Sequence, residues 1–387
     1  MPAVRADSLY KVFGKRPEQS ASALKSGATR EDVRRQGATP AVIDASFEVA
    51  PGEIFVVMGL SGSGKSTLIR MLNGLLPATS GTVEVDGVDI TKLRPKELRA
   101  LRRSKVSMVF QHFALLPHRT VLDNAGYALE VQGLPAEQRR AKAAEALALV
   151  GLEGWEDNLP SQLSGGMQQR VGLARAFAAE TDVLLMDEAF SALDPLIRRD
   201  MQTQLLELQT RLGKTIVFIT HDLNEAMRVG DHIAVMRDGR IVQIGTAEEI
   251  LTDPANDYVA QFVADVDRAR VLTANTIMEP PAATLGSGSG PRAAVKTMRE
   301  HQLPAVFVIG RDRRLVGAVR DADASEALRR GDQDLEAVLD REVTTVSPDT
   351  PVAELFAPAA ETPHPLAVVD DEGRLVGVVP RVTLLAA

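Results

Sequence analysis

The sequence predicts an α/β protein built on a mostly parallel sheet covered on both faces, followed by a smaller second domain. Short apolar runs at 54–60, 183–186 and 215–219 alternate with stretches of helical spacing such as 65–76 and 196–212, the pattern of strands buried by crossover helices. The first run enters a glycine-rich turn and then a helix. After Val263 the pattern changes: residues 314–319 (RLVGAV) recur as 374–379 (RLVGVV), each preceded by an apolar strand, 306–309 and 366–369. Matched order over both strands favours duplication over two chance hairpins.

Near the start, residues 14–40 interrupt two strand-like segments with polar, Ala-rich sequence. Within them Thr29, followed by Glu31 and Asp32, has the form of a helix start, a capping hydroxyl ahead of acids that favour the positive helix end. The segment is expected to be a surface insertion. Residues 111–163 carry few strand signals, and Pro135 at a first helical position and Gly151 just past the end bracket an Ala-rich helix. A helical subdomain is expected there. The first domain is expected to span 1–265 and the second 272–387, with halves 272–331 and 332–387 and a Pro- and Gly-rich stretch at 279–291.

With 387 residues, 45% hydrophobic and 25% charged, the chain has material for more than one core. Its formal net charge of −8 argues against nucleic acid as a partner, which would call for a basic face. The absence of cysteine excludes disulfides, zinc thiolates and iron–sulfur clusters. No apolar run approaches the roughly 20 residues of a membrane-spanning helix. The first ten residues are charged and lack the apolar core of a secretory signal, so the cytosol is the expected location and any membrane association is expected through a partner.

The chemistry starts with Gly59, Leu60, Ser61, Gly62, Ser63, Gly64, Lys65, Ser66 and Thr67. The run from Gly59 to Ser66 fits the phosphate-loop pattern, after a strand and before a helix. Small residues let backbone N–H groups curl around a phosphate, Lys65 adds a point charge, and Ser66 supplies a hydroxyl to Mg²⁺. An incidental lysine after a glycine turn is the competing reading, and the structural context disfavours it. Asp187 and Glu188 follow the run 183–186, so both emerge at the carboxyl end of a strand beside that loop. Asp187 suits Mg²⁺ through water, and Glu188 suits the water that attacks a γ-phosphorus. His221, directly after 215–219, stands at the same sheet edge, although a lone histidine is more often structural. Leu163, Ser164, Gly165, Gly166, Met167, Gln168 and Gln169 precede a helical run at 170–179 and form a second anion-receptive helix start. Either Ser164 is a plain helix cap, or this surface serves a nucleotide bound by another copy.

The order of these motifs, with Gln111 and the stretch Ser191 to Asp194, resembles the ABC ATPases from about residue 6 to 265. The resemblance implies a P-loop NTPase of ABC type, with a mostly parallel core, an antiparallel β subdomain and a helical subdomain. It implies a homodimer that sandwiches two ATPs with Mg²⁺, each closed over by the other subunit's signature motif, Leu163, Ser164, Gly165, Gly166 and Gln168. By position Glu188, His221 and Gln111 are catalytic, Ser66, Gln111 and Asp187 bear on the metal, Ser191 and Asp194 belong to the interface loop, and Phe13 stacks on adenine. Residues 109–125, 186–197 and 253–259, with the insertion 14–40, are similar to the ATP-binding subunits of glycine betaine and proline importers. Membrane permease subunits, an external solute-binding protein acting indirectly, and a place on the cytoplasmic face of the inner membrane are thereby implied. The C-terminal duplication resembles a tandem α+β CBS pair. At its expected nucleotide-contacting positions stand Arg320 with Asp323 and Pro380 with Thr383, so ionic-strength sensing or plain packing is as compatible there as adenosine binding. A soluble ABC ATPase acting on DNA or ribosomes, and a nucleotide-sensing protein with vestigial ATPase motifs, are the competing functions. The first lacks the coiled-coil insertion, zinc ligands or second nucleotide domain that it calls for, and the second is at odds with intact Lys65, Asp187, Glu188 and His221.

Overall fold

The computed structural model describes residues 1–110, 114–191 and 193–386, and its contacts divide the chain into two units, Met1–Val266 and Asp267–Ala387. The first unit opens with β1 (Val4–Gly14), the helices α1 (Pro17–Lys25) and α2 (Arg30–Arg35), and β2 (Ala38–Val49). Then follow β3 (Ile54–Met58), α3 (Lys65–Leu72), β4 (Ser80–Val85), β5 (Val88–Asp89), α4 (Pro95–Lys105) and β6 (Val106–Val109). The helices α5 (Val121–Ala125), α6 (Tyr127–Gln132), α7 (Ala136–Leu149) and α8 (Gly165–Ala178) lead into β7 (Val183–Asp187), α9 (Pro195–Leu212), β8 (Thr215–Thr220) and α10 (Leu223–Val229). The strands β9 (His232–Arg237) and β10 (Arg240–Gly245), with α11 (Ala247–Thr252) and α12 (Asp257–Phe262), end the unit.

Two sheets result. One is antiparallel in the order β2-β1-β4-β5, and the other runs β10-β9-β3-β8-β7-β6, parallel except for the edge pair β9–β10. Val4, Leu9 and Phe47 of the first sheet, Phe55, Val57 and Val217 of the second and Leu68, Ile69 and Leu72 of α3 share one buried core. Phe47 and Phe55 stack across it at 4.9 Å, and each such side chain fully buried contributes about 1.5–3 kcal/mol. Because β3, β7 and β8 are adjacent and parallel, their carboxyl ends open on one edge, which is where the site forms.

Three local outcomes differ from, or sharpen, the sequence reading. The helix expected over 65–76 stops at Leu72, because Gly74 turns left-handed at φ 67° and the Asn73 side chain accepts the Leu75 N–H at 2.9 Å. The helix expected over 170–179 starts earlier, at Gly165, where Ser164 caps it. The insertion is two helices with a small core of its own, in which Ala21, Leu24 and Val33 bury against Tyr10, Val12 and Ile43. Thr29 and Asp32 form a reciprocal capping box on α2, and the Thr29 hydrogen bonds hold the Asp32 carboxyl below its ordinary pKa.

In the second unit, α13 (Ala274–Ile277) precedes β11 (Thr284–Gly286), α14 (Pro291–Glu300), β12 (Ala305–Ile309), β13 (Leu315–Arg320) and α15 (Asp321–Arg330). The pattern returns as β14 (Thr345–Val346), α16 (Val352–Glu361), β15 (Leu366–Val369), β16 (Leu375–Val379) and α17 (Arg381–Ala386). Each repeat is a three-stranded sheet, β11-β12-β13 and β14-β15-β16, with the same parallel and antiparallel pairing. The segment leading into each repeat crosses onto the last strand of the other. Glu279 exchanges backbone hydrogen bonds with Val378 at 2.8 and 2.9 Å, and Asp340 does so with Ala318 at 2.9 Å. A glycine lies under each crossing: a Cβ on Gly317 would meet the Asp340 carbonyl oxygen at 2.4 Å, and one on Gly377 the Met278 Sδ at 2.5 Å. A carbonyl oxygen cannot swing aside, whereas a methionine side chain can. Gly317→Ala is therefore expected to destabilise this unit by about 2–3 kcal/mol and Gly377→Ala by roughly 1 kcal/mol, as measured by denaturant unfolding of the full chain.

Candidate nucleotide-binding site

After Met58 the chain turns through Gly59, Leu60, Ser61, Gly62, Ser63 and Gly64 and enters α3 at Lys65. Close approach fixes two of these glycines. At φ 149° a Cβ on Gly59 would lie 2.2 Å from the Met236 carbonyl oxygen, and at φ 104° one on Gly64 would lie 2.1 Å from that of Ala41. Gly62 faces open space, and the Ser63 hydroxyl is buried without a hydrogen-bond partner. Ser61 is exposed and Thr67 half-buried at the start of the helix.

Lys65 is only 4% exposed. Its ammonium donates to the carbonyls of Gly59 at 2.7 Å and Leu60 at 3.2 Å. Burial pushes its pKa below the ordinary lysine value, while the Glu188 and Asp187 carboxylates pull the other way. The Ser66 hydroxyl donates to Asp187 Oδ1 at 2.9 Å, and Arg70 Nη2 lies 3.6 Å from Asp187 Oδ2. A hydroxyl and one carboxylate side by side are hard oxygen donors, a set that suits Mg²⁺ shared with substrate phosphates rather than an all-protein cage. Among the described residues no cluster of three His, Cys, Asp or Glu could hold a metal alone.

Glu188 sits at φ 47°, a left-handed conformation that costs a non-glycine residue about 1–3 kcal/mol. Its N–H donates to Ile219 at 3.1 Å, and its carbonyl accepts from the Ser191 N–H at 3.2 Å and the Ser191 hydroxyl at 2.9 Å. The turn brings its Oε2 to 3.2 Å from His221 Nδ1. The phosphate loop, Asp187, Glu188 and His221 thus converge from the ends of three adjacent strands.

Other predicted residues stand apart from that cluster. Ser164 caps α8 by accepting the Met167 N–H at 3.3 Å, and the Gln168 side chain donates to Pro160 at 3.0 Å and Leu163 at 3.3 Å. Gly165 has an open Cβ position, while one on Gly166 would meet Ile197 Cγ2 at 2.8 Å. Among the described residues no hydrogen bond joins the segment from Leu163 to Gln168 with the phosphate loop. Asp194 caps α9 through the Ile197 N–H at 3.1 Å. Phe13 is 40% exposed with Lys11 Nζ 5.1 Å from its ring centre, and it pairs with Thr39 across β1–β2, two residues from the Ala41 that abuts Gly64. Gln111 lies outside the described residues.

Sequence reasoning missed the supports behind this edge. Arg198 donates to the carbonyls of Phe190 at 3.2 Å and Leu193 at 3.0 Å and to the Asp222 carboxylate at 2.9 Å, tying the loop before α9 to the one after His221. Buried Glu225 accepts from Gln202 at 3.1 Å and from the Thr220 hydroxyl, and its burial raises its pKa. Asp222 capping α10 three residues before Glu225 was the one available sequence signal.

The ABC transporter family model matches residues 42–191, and the CBS domain model matches 274–330 and 335–387. Over 388 residues the chain is 52% identical to the glycine betaine/carnitine transport ATP-binding protein GbuA of Listeria monocytogenes, covering 100% of this chain and 98% of the relative. The chain belongs to the glycine betaine branch of the ABC transporter ATP-binding proteins. The glycine betaine transport ATP-binding protein OpuAA of Bacillus subtilis is 50% identical over 99% of this chain and 92% of its own. An Fe(3+) ions import ATP-binding protein of Rhizobium etli is 46% identical, but over only 62% of this chain. The fold matches a solved dimeric ATP-binding cassette in a post-hydrolysis state bound to ADP and Pi, with TM-score 0.54 and 31% identity, covering 63% of this chain and 98% of that one. As an ABC ATP-binding protein the chain binds ATP and couples its hydrolysis to transport.

At the CBS positions flagged above, Arg320 Nε lies 3.6 Å from Asp323 Oδ2, and the Thr383 hydroxyl donates to Glu279 Oε1 at 2.6 Å. Arg320, Asp323 and Thr383 thus already have partners within the chain. For the phosphate loop, Gly64→Ala is expected to weaken ATP binding at least about tenfold more than Gly62→Ala, since only its Cβ meets a backbone carbonyl. Isothermal titration with ATP checks this.

Proposed function

We propose that the chain energises import of glycine betaine or a related quaternary amine across the cytoplasmic membrane in osmoprotection, working as a homodimer with integral permease subunits. The observation that carries the substrate class is full-length coverage. An iron importer's subunit is almost as similar but over only 62% of this chain, whereas the match to the betaine relatives covers 99–100% of it, the insertion and the CBS pair included.

In the proposed mechanism the loop from Gly59 to Thr67 cradles the β- and γ-phosphates, and Lys65 supplies a cation already stripped of water and therefore strong at short range. Ser66, Asp187 and Gln111 would hold Mg²⁺, whose charge neutralises the phosphates when bound. Glu188 orients the attacking water and accepts its proton, and His221, at 3.2 Å from that carboxylate, senses the γ-phosphate. Phe13 stacks on the adenine. The segment from Leu163 to Gln168 closes over ATP held by the other copy, with Ser191 and Asp194 at the interface.

Glu188→Gln is expected to keep ATP binding, lose hydrolysis by about 10²–10⁴-fold and trap a dimer, seen by ATPase assay and size-exclusion chromatography; an unchanged rate removes Glu188 from this role. Lys65→Ala is expected to weaken ATP binding itself. Cells lacking the chain should lose uptake of radiolabelled glycine betaine at high osmolarity, regained with wild-type but not Glu188→Gln protein; unchanged uptake in cells without a second betaine transporter points to another solute.

A further inference from the structure

Two sequence features that the site chemistry leaves unused converge on one hairpin turn. The insertion supplies Arg30, the first residue of α2, and the segment 253–259 supplies Tyr258 on α12. Between them is Asp238 in the turn joining β9 to β10. Asp238 and Gly239 have φ of 52° and 85°, the paired positive values of a type I′ hairpin turn. Arg30 Nη1 is ion-paired to Asp238 Oδ1, and Arg237 Nε lies 3.6 Å from Asp238 Oδ2. The Arg237 guanidinium in turn stacks over the Tyr258 ring at 4.3 Å.

That turn is the backing of the phosphate loop. The Gly239 N–H donates to the Ser63 carbonyl at 3.0 Å, and the Gly239 carbonyl accepts from the Ile43 N–H at 2.7 Å. The Met236 carbonyl fills the space that a side chain on Gly59 would need. Any tilt of the turn therefore moves Ser63 and presses on Gly59, residues at both ends of the loop.

We infer that Arg30 is a positioning residue for nucleotide binding: by holding Asp238 it fixes the Asp238–Gly239 turn under Ser63, and so the insertion sets the affinity of the phosphate loop for ATP. The Arg30 side chain is 19% exposed, with its Nε buried, while that of Asp238 is 63% exposed. A pair so placed is partly screened by solvent, which bounds the effect to a few-fold. The inference rests on Gly59 to Thr67 being the nucleotide loop, which Lys65→Ala tests separately.

The experiment compares ATP KM, kcat and melting temperature for wild type, Arg30→Ala, Arg30→Lys, Asp238→Asn and the double variant Arg30→Ala with Asp238→Asn. Arg30→Ala and Asp238→Asn should each raise KM about three- to fivefold with kcat within about twofold, the double variant should go no further, and Arg30→Lys should stay near wild type. An unchanged KM with a lowered melting temperature would show that Arg30 only holds the insertion, and so would overturn the inference. A fall in kcat at constant KM, or additive effects in the double variant, would overturn it as well. If Lys65→Ala leaves ATP binding intact, the nucleotide-loop assignment is what fails.

Discussion

A lysine held out of water sets the terms for everything at the nucleotide edge. Burying the Lys65 ammonium is costly unless carbonyls and opposite charges surround it, and the chain provides both: Gly59 and Leu60 accept its protons, and Asp187 and Glu188 favour its charged form. Those carboxylates come from the end of β7, a strand that ends level with the phosphate loop. In the order β3-β8-β7 the lysine and the acids face each other across β8, which also brings His221 to Glu188. The parallel sheet is thus a device for placing fixed charges of both signs around one edge. The left-handed Glu188 fits the same account. Its strain is offset by three hydrogen bonds, from Ser191 and to Ile219, that fix the turn from which its carboxylate reaches His221.

The parts of this arrangement that were legible in the sequence are those in which chemistry and local structure coincide. Gly59 to Ser66 and Asp187 with Glu188 are contiguous runs whose strand and helix contexts are adjacent in the chain, so periodicity places them. Thr29 with Asp32 is legible for the same reason. Arg198, Gln202 and Glu225 were not, because each acts on a partner more than four residues away, and nothing in the local pattern of α9 distinguishes an arginine that clamps two loops from one that faces solvent. The early end of α3 was missed because apolar spacing continues to Leu76 while Asn73 and Gly74 end the helix by backbone geometry.

The duplication behaves differently. The repeat was plain, yet its consequence is tertiary: each half lends the segment before it to the last strand of the other, with Gly317 and Gly377 leaving room for the crossings. Leu315 and Leu375 donate to Gly373 and Arg313 at 3.0 Å, and Phe307, Ala318, Ala367 and Val378 share one core. Neither half can satisfy its outer strand alone, which is a physical reason for the two copies to persist together. It also bears on ligands. Thr383 bonds to Glu279, a residue of the crossing itself, so any molecule competing for that hydroxyl would compete with a contact at the crossing.

Symmetry of another kind underlies the proposed dimer. One chain presents two helix starts suited to phosphate, those of α3 and α8. The first is met by Lys65, Ser66 and Asp187 from the same chain. The second is capped by Ser164 and has an open surface at Gly165, and among the described residues no hydrogen bond joins it to a lysine or acid at the strand ends. A lone helix start binds anions weakly, worth about 1 kcal/mol when exposed, and becomes effective once a nucleotide is already held against it by stronger groups. In the proposed dimer a second copy facing the first would offer that nucleotide, and the two-fold relation would make the exchange mutual. In that proposed dimer, closure would be favoured by ATP and disfavoured once the γ-phosphate has left, the difference in affinity that any transport cycle driven by hydrolysis requires.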